Sequence, residues 1–143
     1  MSILIFIGLR QSMYLILFVI WIFSCNDKSF IESRIYGTWE GVHSGKKLIF
    51  EFRDDQTCDF VFINEEDGSM EIVSGNYEIN FSKKPVMLSV RNIPQFDHPL
   101  YTIVEFVEID VIKLADFAPR WRLRPIAFNL YTSMSLKRVK KST

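Results

Sequence analysis

The sequence predicts an all-β protein, a sheet of about eight antiparallel strands in up-and-down order that closes into a barrel behind an N-terminal apolar segment. Three observations predict it. Beyond Ile35, apolar residues recur at alternate positions in short runs broken by Gly, Pro, Asp and Asn, the pattern of half-buried antiparallel strands. No stretch there sustains the 3.6-residue period of an amphipathic helix. The runs also follow one another through short connections, and an eight-stranded sheet with one apolar face removes both exposed edges by closing on itself.

The 143 residues suit one core, and 48% hydrophobic residues, thirteen Phe among them, supply large side chains for it. Seventeen basic and seventeen acidic residues balance, so no global field points to nucleic acid or to a polyanionic substrate. Two cysteines, Cys25 and Cys58, are too few for a disulfide framework.

In chain order, 36–43 forms the first strand and ends at Ser44-Gly45. Along 47–53, Leu48, Phe50 and Phe52 share one face, and 57–64 continues with Cys58, Phe60 and Phe62 inward. Cys58 is therefore expected as a core thiol. Glu65-Glu66-Asp67-Gly68 reads as a hairpin tip, since its spacing does not match a calcium loop. The long strand 70–82 carries Val73, Gly75, Tyr77, Ile79 and Phe81 on one face, with Gly75 marking a bend or bulge. After Lys83-Lys84-Pro85, 86–91 returns with Val86, Leu88 and Val90 inward. A two-proline loop over 92–99 leads to strands at 101–108 and 111–116. The stretch 117–129 is irregular, and 133–140 closes the sheet with Met134, Leu136 and Arg138 on one face.

Ahead of this domain, 13–23 is an unbroken apolar run of signal-peptide length, shorter than the roughly 20 residues of a membrane-spanning helix. Ile22-Phe23-Ser24-Cys25 resembles the lipobox at which bacterial lipoproteins are processed. That resemblance implies a lipoprotein-type signal peptide over 1–24, lipidation of Cys25, a tether over 25–34 and a domain over 35–143 held at a membrane of the bacterial cell envelope. Several acyl chains make a stable anchor where one is marginal. A secreted or signal-anchored chain is the alternative.

Gly37-Thr38-Trp39 on the first strand and Arg138 on the last resemble the lipocalin pattern. The order of Gly75-Asn76-Tyr77-Glu78-Ile79, Pro85 with Leu88, 102–106, Arg124-Pro125 with Phe128, and Leu136-Lys137-Arg138 also resembles small bacterial lipocalin-like domains of uncharacterised function. The resemblance implies a calycin-type barrel in which Gly37, Trp39 and Arg138 effect structural closure, the cation lying over the indole. Lipocalins carry a helix against the barrel and this chain has no segment for one, so a small interior filled by inward Phe is expected.

No His, Cys or carboxylate cluster has metal-ligand spacing, and no nucleophile elbow or Cys-His pair is present, so neither metal, cofactor nor catalytic residue is assigned. Binding is expected instead. The candidate contacts for a small apolar or amphipathic ligand are Tyr77, Phe106 and Trp121, with Arg122 or Arg124 as a bidentate cationic rim at the barrel mouth. Glu105, among apolar neighbours, either faces solvent or, if it faces the lumen, needs one of those arginines. The other expectation is a filled barrel serving as a structural or protein-interaction module of the envelope.

Overall fold

A computed structural model of the chain describes residues 32–140. The chain divides into two units, Met1–Glu32 and Ser33–Thr143. The apolar run and Cys25 lie outside the described residues. Among the described residues, no helix is long and apolar enough to cross a membrane.

The second unit is a closed antiparallel barrel whose strands run in sequence order. They are β1 (Gly37–His43), β2 (Lys46–Phe52), β3 (Thr57–Asn64), β4 (Met70–Asn80), β5 (Val86–Arg91), β6 (Leu100–Glu108), β7 (Val111–Ala115) and β8 (Ser133–Arg138). The all-β, eight-stranded, up-and-down architecture is the one the alternation predicts. Short hairpins join most neighbours, which requires left-handed backbone at turn positions such as Gly45 (φ +73°) and Gly68 (φ +69°).

Register turns the alternation into rows across the lumen. Trp39 lies opposite Phe50, Phe50 opposite Phe60, and Phe60 opposite Val73. All four side chains are buried. The same parity carries Leu88, Val90, Val104, Ile112, Leu114, Met134 and Leu136 into one core. Aromatic rings run along it: Tyr77 meets Phe52 edge-on at 5.1 Å, Phe52 meets Phe60 at 5.5 Å, and Phe60 meets Phe50 at 4.4 Å and Phe117 at 5.3 Å.

The barrel closes through a short seam. Only Trp39↔Arg138 and Glu40↔Lys137 pair between β1 and β8, against seven pairs between β1 and β2. Glycine permits the close approach there: a Cβ on Gly41 would stand 2.5 Å from the Ser135 carbonyl oxygen and 2.8 Å from a Leu136 methyl.

One segment lies outside the barrel wall. Ala118 still pairs with Tyr101, which donates to and accepts from it at 2.9 and 2.8 Å. Beyond it the chain runs past the outer face of β5 to β7 through a 3-10 turn at Trp121–Leu123 and returns where the Asp116 amide donates to the Thr132 carbonyl. Ser89, Ile103 and Ala115 have outward register and are nonetheless buried, because this connection covers them.

Candidate functional site

The two ends of the barrel differ. At the end where β1 begins, the large inward side chains pack on one another and their polar atoms are paired. Trp39 is fully buried and its Nε1 donates to the Ile35 carbonyl at 2.8 Å. The Arg138 guanidinium stacks over the indole at 4.1 Å, donates to the carbonyls of Tyr36 and, at 2.8 Å, Arg34, and lies 3.4 Å from an Asp110 carboxylate oxygen. Gly37 has φ +117°, and a Cβ there would come within 3.0 Å of an Arg138 guanidinium nitrogen. Gly37, Trp39 and Arg138 thus come together at this end. Tyr77 adds to it, its hydroxyl donating to the Arg53 carbonyl at 2.7 Å, and burial pushes its phenol above the usual range.

The opposite end is open. A cavity of about 480 Å³ enters the lumen there. Leu48, Phe60, Val73 and Met134 form its buried floor, with Phe62 and Phe117 above them. His43, Lys46, Glu71 and Asp116 stand at its mouth. Their place follows from strand parity: His43 shares the inward face of Trp39, Lys46 that of Leu48, and Glu71 lies opposite Phe62. Inward residues in mid-barrel must be apolar, whereas those at the last position of a strand reach water and can be charged. His43 Nε2 lies 3.6 Å from Asp116 Oδ1 across the β1 and β7 ends. The site therefore offers an apolar, aromatic floor under a rim carrying both signs of charge.

The ligand contacts expected from sequence stand elsewhere. Tyr77 belongs to the packed end, as does Phe106, which stacks on Phe81 at 5.8 Å and lies beneath the Arg34 guanidinium at 4.8 Å. Glu105 is exposed on the outer face, opposite Lys113 in the β6 to β7 register, so it faces solvent and needs no buried cation. Trp121 is exposed with Arg122 over its ring at 5.3 Å. Arg124 is half-buried on the outer wall, its Nη2 donating to Ser89 Oγ at 3.2 Å and its guanidinium 5.0 Å from the Tyr101 ring. The arginines lie along the wall instead of around the mouth, because the connection leaves the rim after Ala118. None of these six residues lines the cavity.

Comparison with family models, curated proteins and solved structures finds no match for this chain. Its chemistry must be judged on its own residues. Among the described residues, no three His, Cys, Asp or Glu side chains gather as metal ligands. Cys58 is a free, buried thiol whose Sγ approaches the Gly75 carbonyl at 3.6 Å, and burial pushes it up to about 12, so it stays protonated and unreactive.

The residue sequence reasoning missed is Phe117. It sits in the irregular stretch, yet it turns inward and packs on Phe60 and, at 6.3 Å, on Phe50. The only available sign was a large aromatic directly after an alternating run, one position beyond the expected end of β7. The charged rim was missed because its members read as strand ends and turn residues.

Proposed function

We propose that this chain is a membrane-anchored bacterial lipoprotein whose lipocalin-like barrel binds, without catalysis, a small apolar or amphipathic molecule in the open end of its lumen. One observation carries the reading. The Phe side chains of the described residues do not fill the barrel: aromatic rings pack one half, and about 480 Å³ remains in the other. That volume lies within the roughly 300–1,000 Å³ of typical small-molecule sites. An apolar floor favours a hydrocarbon or aromatic body, and the rim of His43, Lys46, Glu71 and Asp116 favours a polar or charged end held near water. The alternative, a filled barrel acting only through its surface, is disfavoured by the same cavity.

The test uses an amphipathic aromatic anion, anilinonaphthalene sulfonate, whose emission rises in apolar surroundings. The native chain is expected to bind it saturably. Leu100→Trp, which places a larger side chain at a half-buried position in the cavity wall, is expected to abolish binding while preserving the fold. Undiminished binding to that variant would place the ligand elsewhere and sink the cavity reading. Anchoring is tested separately by mass spectrometry of the N-terminus from envelope fractions: a diacylglyceryl-modified Cys25 supports the lipoprotein reading, and a retained Met1 refutes it.

A further inference from the structure

The β7 to β8 connection holds an exposed chemistry that cavity binding does not use. Twelve large apolar side chains are exposed among the described residues, and five of them, Trp121, Leu123, Ile126, Leu130 and Tyr131, belong to this one connection. Ile126, Leu130 and Tyr131 are each nearly nine-tenths exposed. Such side chains are costly to leave in water, and apolar side chains gathered on one surface mark a contact face.

Beyond Asp116, which stands at the cavity mouth, the charges of the same connection have one sign. Residues 117–132 contain Arg120, Arg122 and Arg124 and no Asp or Glu, in a chain whose acids and bases balance overall. Arg120 and Arg122 are exposed and alternate with Trp121 and Leu123. Arg124 instead turns against Ser89 and Tyr101 and fastens the connection to the wall. Lys113 adds a second fastening, 5.2 Å from the Phe128 ring. The barrel thus presents the exposed residues on a supported strap.

We propose that this strap docks on an anionic lipid surface. Trp and Tyr partition to the boundary between headgroups and acyl chains, where one side of the ring is dry and the other wet. Leu and Ile enter alongside them, and cationic side chains gain from phosphate-bearing headgroups. An unmixed positive charge is complementary to such a surface. The contact is additional to any lipid on Cys25 and independent of what the cavity holds. It would lay the barrel wall of β5 to β7 along the membrane.

The experiment reads Trp121 directly in the full-length chain. Trp21→Phe removes the tryptophan of the apolar run, and Trp39 is fully buried, so Trp121 remains as the quenchable indole. The chain is reconstituted into phosphatidylcholine vesicles with or without phosphatidylglycerol, each prepared with and without brominated acyl chains. The expected result is strong bromine quenching in anionic vesicles and little in neutral ones. Arg120→Glu and Arg122→Glu, both at exposed positions that leave the barrel intact, are expected to lower the docked population roughly fivefold each. Emission unaffected by bromine overturns the proposal, as does quenching equal in both lipids. Protection of Trp121 from aqueous acrylamide without bromine quenching would assign the strap to a protein partner and also overturns it.

Discussion

The end of the barrel at Trp39 and the end at Phe62 are built from the same strands, yet one is a sealed joint and the other a cup. At the first, a single arginine satisfies two carbonyls, an indole face and a carboxylate at once. At the second, inward side chains stop short of one another, and the last inward positions are charged. Strand alternation decides which way a side chain points, while its height along the barrel axis decides whether it is structural or accessible to a ligand.

The largest effect bearing on this contrast is expected at Trp39. Trp39→Ala should cost about 3–5 kcal/mol of stability, as truncating a fully buried aromatic does, and chemical denaturation would measure it. Probe affinity of the molecules that remain folded should be unchanged; lost affinity with retained stability would reverse the assignment of the two ends. Arg138→Ala should cost less, about 1–3 kcal/mol, because one cation over an indole and its hydrogen bonds are removed while the core volume is kept. Lysine at the same position should restore only part of it, since an ammonium cannot reproduce the planar fork.

Phe117→Ala is expected to behave in the opposite way to Trp39→Ala. Its ring is half-buried and lines the cavity, so unfolding free energy should fall by only about 1–2 kcal/mol while probe affinity changes severalfold, measurable by fluorescence titration. A stability loss as large as that of Trp39→Ala, with unaltered affinity, would make Phe117 part of the sealed core.

The smallest effect concerns the outer wall near the sealed end. The Ser74 hydroxyl donates to Asp59 at 2.6 Å and the Arg53 guanidinium contacts its other oxygen; these two hydrogen bonds, in that order, hold the Asp59 carboxyl below its usual range. A carboxylate with a depressed folded-state pKa contributes stability that is complete above its unfolded value near about 3.9. That contribution is lost as pH falls through the folded-state value. Ser74→Ala should therefore cost roughly 1 kcal/mol at neutral pH and less as the solution is acidified below that value. Equal destabilisation at pH 7 and at the acid end of the transition, followed by urea denaturation, would exclude this linkage.

The contrast between the ends also marks what could be seen in the sequence. Phe50, Phe60, Val73 and Leu88 were legible as core because each sits within an alternating run. Trp39 with Arg138 was legible through the lipocalin resemblance. The cup was not, because its floor residues obey the same alternation as the sealed core and only the stagger between neighbouring strands separates them. Tyr77 and Phe106 show the consequence: both point inward as expected, at the wrong height for the cavity. Arg124 failed for another reason. A connection that folds back on the wall buries outward residues such as Ile103, and no local periodicity reports that return.

The two-pair seam between β1 and β8 has a consequence for the order of events in folding. Arg138 reaches a carbonyl 102 positions away in the chain, so the contacts that complete the barrel are among the most distant in sequence. Ordering so long a stretch of chain is costly until such contacts form, which makes barrels of this kind slow to complete. During synthesis, β1 must wait with its indole unshielded until β8 has emerged.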